Sequence, residues 1–342
     1  MKKLIPVICI TLLFMITQTG CSTEEPVSDS GFYLNTTCDI TIYNMEDMSK
    51  KNAQTAIDDS FALIDKYEKQ MMSRTAKGSD VYTINHSQGK AVKVNDETLE
   101  VINLGLEMNK ITDGRFDITL GKISDMWNFT GDNPKVPADA DIQAALTETG
   151  CDAIQIDGNN VTLNSGAWID LGAVAKGYIA DRVGDFLEEE GVTSAIINLG
   201  GNVVAIGAKD GDKDWRIGIE RPYSDRTEVI GAVEVKDSTV VTSGIYERKF
   251  EEKGKLYHHV LDPATGYPAE TDLEAVTVVA DKGNSCLCDG LATSCLLLGL
   301  DEAQKLIAKM QTKYPDKHIR ASFMGTDDKV YKSEGMEIMD VD

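Results

Sequence analysis

Segments with helical spacing and segments with strand alternation follow one another along the whole chain, and that interleaving limits the fold more than any other feature of the sequence. Ala53, Ile57, Phe61 and Ile64 recur at helical spacing within residues 46–69, and Leu99, Val101, Ile102, Leu104, Leu106 and Met108 do so within 98–110. Further helices are expected at 139–149, 174–189, 287–298 and 301–312. Strands are expected within 32–43, where Phe32, Leu34, Ile40 and Ile42 alternate, and at 153–156, 160–163, 168–171, 194–199 and 203–206. More follow at 215–219, 228–235, 239–242, 257–261 and 274–280, with a last pair around 319–332. Helices and hairpins mixed in this way predict an α+β fold, a largely antiparallel sheet with packed helices, and not a doubly wound parallel sheet.

Charge narrows the function. The chain has 342 residues, and 34 Lys and Arg against 56 Asp and Glu leave a net charge of −22. A body this acidic repels nucleic acid and excludes that class of partner. With 42% hydrophobic and 26% charged residues, the composition supports a globular core. An anionic ligand such as a phosphate would need positive charge supplied locally.

The first residues stand apart from the domain. Lys2 and Lys3 precede a mostly apolar run of 13 residues, Leu4 to Ile16, too short to span a bilayer as a helix and of signal-peptide dimensions. Gln18-Thr19-Gly20-Cys21 then resembles a bacterial lipobox, although Gln18 stands where Leu is usual. On that reading residues 1–20 are a lipoprotein signal peptide and Cys21 is the lipidated mature N-terminus. The protein would be exported and held by acyl chains at the bacterial cell membrane, facing outside the cytoplasm. An ordinary secretory signal with an incidental cysteine is the alternative. Residues 21–31 are expected to be a flexible tether and 32–342 one catalytic domain. The other cysteines of the mature chain, Cys38, Cys151, Cys286, Cys288 and Cys295, are odd in number with no repeated spacing, so no disulfide framework is expected. Cys286, Cys288 and Cys295 lack a CxxC pair and read as buried free thiols and not as a zinc cluster.

Several short motifs could carry chemistry. Asp170 to Tyr178 marks a strand turning into a helix, where free N–H groups offer a phosphate site and Lys176 adds a full positive charge. A solvent-facing lysine on an ordinary helix looks the same. Asp289 and Thr293 are four apart, so their oxygens share one helix face; such hard ligands suit Mg²⁺, yet the spacing is common in surface hydrogen bonds. His258 and His259 precede Asp262-Pro263, giving a candidate general base beside a carboxylate able to orient it, or else an edge-strand histidine satisfied by backbone. Asn198 to Asn202 and Thr242-Ser243-Gly244 are glycine turns against which a flat ligand or a pyrophosphate could lie. No GxSxG elbow supports a serine hydrolase.

The set says more than its members. Gly114 to Thr119 with Trp127-Asn128-Phe129, Asp170 to Tyr178, Asn198 to Asn202, Trp215 to Ile219, Thr242 to Gly244, His259 to Pro268 and Asp289 to Thr293, in that order, resemble the ApbE family of FAD:protein FMN transferases. Ser73, Ser79-Asp80-Val81 and Asn85 are similar to that family's N-terminal region. The resemblance spans roughly residues 32–335 and implies an ApbE/T-fold-like architecture. It implies FAD as substrate, Mg²⁺ as cofactor, and transfer of FMN through a phosphoester bond to Thr or Ser of an acceptor flavoprotein or membrane redox-complex subunit, with release of AMP. By the same resemblance the metal ligands are the side chains of Asp289 and Thr293 and the carbonyl of Ala173. FAD contacts come from Leu34, Arg115, Phe116, Asp117, Asp170, Lys176 and Leu261, and His259 is the catalytic base. Leu34-Asn35-Thr36 departs from the family's usual Met-Gly-Thr.

Two other readings compete with this one. Water in place of a protein hydroxyl would make the chain a metal-dependent FAD pyrophosphatase yielding FMN and AMP. A lipoprotein that only binds flavin would need neither metal pair nor base. On the transferase reading, Asp289→Ala is expected to abolish metal-dependent turnover and leave the fold intact.

Overall fold

The computed structural model describes residues 25–43, 48–164, 166–209, 213–224 and 228–341. Its centre is an eight-stranded sheet built from β1 (Val27–Tyr33), β2 (Thr36–Ile42), β3 (Ala195–Leu199), β4 (Asn202–Ile206), β5 (Ser238–Gly244), β6 (Leu273–Asp281), β7 (Arg320–Gly325) and β8 (Val330–Lys332). Each strand pairs antiparallel with the next one in this series, so the sheet is a meander into which helices and small hairpins are inserted. Alternation sets its two faces. Cys38, Ile40 and Ile42, with Ile197, Val204, Val241 and Val278, face the main core. Ala205, Val240 and Val279 face the other way, onto Trp215 and Val233 of a two-stranded ribbon, Trp215–Glu220 paired with Val229–Val235.

Five long helices cover the main face or border it: α1 (Lys50–Tyr67), α2 (Asp96–Ile111), α3 (Ala175–Glu189), α4 (Ser285–Leu298) and α5 (Leu300–Lys313). Ser49 caps α1 by accepting the Asn52 N–H at 3.2 Å. Buried Ala53, Ile57, Phe61 and Ile64 make its core stripe, as their spacing predicts. A third cluster, Leu120, Ile123, Trp127, Ile142 and Leu261, joins short helices 121–127 and 139–146 to the hairpin 249–252/255–258. There the Trp127 indole donates to the Gly266 carbonyl at 2.9 Å.

The mixed fold with its antiparallel sheet agrees with expectation, and three local readings are corrected. Residues 27–31, taken as tether, form most of edge strand β1. Residues 28–30 are polar, so no apolar alternation marks this stretch; cross-strand bonds such as Ser28 Oγ to Thr41 Oγ1 at 2.8 Å and Ser30 Oγ to Asp39 at 2.6 Å add to the backbone ladder. Leu34 is not a strand residue. With Asn35 it occupies left-handed backbone (φ 55° and 56°) in a two-residue hairpin turn between β1 and β2. Residues 168–171 form no strand beyond one isolated bridge, because the Asn85 side chain takes both backbone groups of Ile169, at 2.9 and 2.7 Å.

Candidate active site

Helices α3 and α4 each place a carboxylate at the other's first turn. Asp181 of α3 accepts the N–H groups of Ser285 (3.0 Å) and Cys286 (3.1 Å), and Asp289 of α4 accepts the Gly177 N–H at 3.1 Å. Negative charge at a helix start satisfies orphan donors and opposes the helix dipole. Contact this close needs glycine: a Cβ on Gly177 would stand 2.2 Å from the Ser285 carbonyl oxygen. Burial pushes the Asp181 carboxyl up in spite of its hydrogen bonds.

The arrangement prepares Asp289 and Ala173 together. In an uninterrupted helix the Gly177 N–H would bond to the Ala173 carbonyl four residues back. Here that N–H goes to Asp289 and α3 begins only at Ala175, so the Ala173 carbonyl stays outside the helical ladder at the cavity wall. Asp289 is 1% exposed; its Oδ1 receives the Lys176 ammonium at 3.4 Å and Asn202 Nδ2 at 3.5 Å. Asn202 Oδ1 is buried with no partner among the described residues, an oxygen with lone pairs to offer beside the same carboxylate. Thr293 lies one turn further along α4 and lines the cavity. A carboxylate, a hydroxyl and a carbonyl are the hard oxygen set that fits a magnesium-like cation. Among the described residues no cluster of three His, Cys, Asp or Glu exists, so such a cation would draw its remaining ligands from substrate phosphates and water.

The cavity has a volume of about 280 Å³. Leu34, Phe116, Asp117, Asp170, Ala173, Lys176, His259, Leu261 and Thr293 all line it, although they come from distant parts of the sequence. Asp170 is fixed from three sides: its Oδ2 accepts Arg74 Nε at 2.9 Å, its Oδ1 accepts the Gly172 N–H at 2.9 Å, and its own N–H donates to Ile118 at 2.7 Å. Asp117 accepts both the N–H (2.7 Å) and the hydroxyl (2.6 Å) of Thr119, which orients its carboxylate. At the β3–β4 turn, Gly200 has φ 59° and packs so close to Thr36 that a Cβ would lie 2.3 Å from its hydroxyl oxygen.

His259 is held by its backbone, with its N–H donating to the Arg248 carbonyl at 3.1 Å. Its Nδ1 is buried without a partner among the described residues, and the residue lines the cavity. Desolvation, then the nearby Arg248, His258 and Lys176, lowers its pKa to about 3, so the imidazole is neutral at physiological pH. His258 is buried too, bonded through Nε2 to the Ala269 carbonyl at 3.2 Å, and desolvation lowers its pKa to about 4.

Arg115 itself is not among the residues lining the cavity; its guanidinium bonds to the Leu297 carbonyl at 2.9 Å and pairs with Asp262 at 3.5 Å, tying the end of α4 to the 262–266 turn beside Phe116 and Asp117, which do line it. One expectation needs correction. Asp262 does not orient a histidine; it binds Arg115 and the Ala264 N–H. Cys21 lies outside the described residues. Sequence reasoning missed Arg74 and Arg248, both on the cavity wall. Arg74 follows Ser73 directly, and a cation beside a motif residue in so acidic a chain was the available signal. Cys38, Cys151, Cys286, Cys288 and Cys295 are free thiols, and Cys38, Cys288 and Cys295 are fully buried.

Residues 34–315 match the ApbE family. A FAD:protein FMN transferase of Klebsiella pneumoniae (strain 342) is 37% identical over 244 residues, which cover 70% of this chain and 74% of that protein. The FAD:protein FMN transferase of Treponema pallidum (strain Nichols) is 32% identical over 327 residues, covering 89% and 88%. The crystal structure of the ApbE protein from Thermotoga maritima MSB8 is similar with a TM-score of 0.80 at 30% identity, covering 90% of this chain and 97% of that one. For the flavin transferase ApbE from Vibrio cholerae the TM-score is 0.73 at 29% identity, covering 91% and 97%. This chain belongs to the ApbE family.

Proposed function

We propose that this chain is a FAD:protein FMN transferase, moving FMN from FAD to a Thr or Ser hydroxyl of an acceptor flavoprotein and releasing AMP. The observation that carries the reading is one cavity walled by Ala173, Lys176, Thr293 and His259, with Asp289 bonded to Lys176 beneath it. Its cations answer the need of an anionic substrate for local positive charge in a chain of net charge −22.

The acceptor oxygen attacks the flavin-side phosphorus. The P–O bond to the bridging oxygen breaks, AMP leaves with that oxygen, and the hydroxyl proton passes to His259. Mg²⁺ held by Asp289, Thr293 and the Ala173 carbonyl would neutralise diphosphate oxygens as their charge redistributes. Lys176 and the first turn of α3 position the substrate anion. Burial is the main cause of the depressed His259 pKa; an incoming diphosphate would offset only the lesser contributions of Arg248 and Lys176. Support for the role of Cys21 comes from the lipobox-like Thr19-Gly20-Cys21 alone; on that basis the mature enzyme is lipid-anchored outside the cytoplasm.

The test is to incubate purified protein with FAD, Mg²⁺ and a flavoprotein acceptor, then to resolve the products on a denaturing gel. Fluorescent acceptor together with equimolar AMP is expected. Free FMN and AMP with no labelled protein would instead establish a hydrolase.

A further inference from the structure

The cavity wall carries three basic side chains besides His259, and two are already neutralised. Arg74 pairs with both Asp125 and Asp170, and Lys176 pairs with Asp289 at 3.4 Å. Arg248 differs. Among the described residues no carboxylate comes within ion-pairing distance of it, and its side chain makes one long bond, Nη2 to the Leu34 carbonyl at 3.4 Å. In a chain with 56 acidic residues, a half-buried guanidinium without an acid on a cavity wall is an exception that calls for an anionic ligand.

Its place says which part of the ligand. The Arg248 carbonyl binds the His259 N–H at 3.1 Å, and the Arg248 charge is among the causes that keep the His259 ring neutral, so base and cation are neighbours. A base must stand beside the entering hydroxyl, hence beside the phosphorus under attack. A planar guanidinium is suited to grip two phosphate oxygens at once.

We propose that Arg248 binds the non-bridging oxygens of the flavin-side phosphoryl group and stabilises the charge on them during attack. This rests on the FMN-transfer reading. During the step the hydroxyl oxygen bonds to that phosphorus, the bridging P–O bond breaks toward AMP, and the proton goes to His259; Arg248 exchanges no atoms. After transfer it would hold the phosphate of the FMN now esterified to the acceptor.

The experiment compares the full chain with Arg248→Ala and Arg248→Lys. Binding of FMN and of riboflavin is followed by flavin fluorescence without divalent ion, and kcat for transfer is measured with Mg²⁺. Arg248→Ala should lower kcat by about 10²-fold or more and weaken FMN by about 10-fold or more with riboflavin unchanged. Arg248→Lys should recover part of both. Wild-type kcat and an unchanged preference for FMN over riboflavin in Arg248→Ala would overturn the proposal. So would a lowered kcat accompanied only by a fall in thermal midpoint, which marks a structural role. Should the wild-type chain label no acceptor while its preference for FMN depends on Arg248, the transferase reading fails and the phosphate contact stands.

Discussion

At the residue scale, Asp289 has two tasks that a simple truncation confounds. It is buried, caps the Gly177 N–H and faces Lys176. Asp289→Ala leaves those donors unsatisfied and should destabilise the protein by about 1–3 kcal/mol while the fold stays intact. Asp289→Asn keeps an acceptor for the Gly177 N–H and removes the charge. It should fold with a thermal midpoint close to wild type and lose at least about 10²-fold in metal-dependent transfer. Calorimetry and the gel assay on both variants check this. The two adjacent histidines give the protein an acid-side weakness. His258 and His259 have folded pKa values of about 4 and about 3 against an ordinary 6.5. Below pH 6.5 the unfolded chain takes up protons that the folded chain refuses, so stability falls as pH drops toward 4. Each histidine contributes a slope of up to about 1.4 kcal/mol per pH unit in that window. Urea unfolding of His258→Gln between pH 7 and pH 4 should show a shallower loss than wild type; equal slopes would remove His258 from the account.

At the element scale, the α3–α4 contact is the part that shapes the site. Gly177→Ala pushes a Cβ into the Ser285 carbonyl at 2.2 Å and must separate the helices or break the Asp289 cap. A loss of about 1–3 kcal/mol in stability with a fall in transfer is expected, read by thermal unfolding and turnover. The boundaries of α2 to α5 were legible to within two residues because each has several turns of apolar spacing. Helices 80–85 and 121–127 were not, since a chain of 6 or 7 residues offers too few turns to establish a period. Residues 27–31 of β1 were invisible for a different reason: an edge strand held by its ladder and by Ser28 and Ser30 needs no apolar face. Nine residues of the cavity wall were named in advance through short ordered motifs, whereas Arg74 and Arg248 were not, because their importance comes from which acids the fold places near them.

At the scale of the whole molecule, a meandering sheet receives insertions between β2 and β3, β5 and β6, and β6 and β7, and their residues meet at one cavity. The motifs lie in these insertions and at the ends of the strands beside them, and the sheet gathers them at one place. Among the described residues no helix is long and apolar enough to cross a membrane. The proposed lipid anchor is Cys21. Expressed with its signal sequence, a Cys21→Ser variant should leave the membrane fraction while its purified form keeps wild-type transfer; retention in the membrane fraction would refute lipid anchoring at that residue.

All of this depends on where the diphosphate lies. A crystal structure of the protein with FAD and Mg²⁺ tests it directly. The account predicts both phosphoryl groups in the cavity, one metal-bound oxygen from each of Asp289, Thr293 and Ala173, and His259 facing the flavin-side phosphorus. A diphosphate bound away from Asp289 and Thr293, or a metal held by other residues, would contradict it.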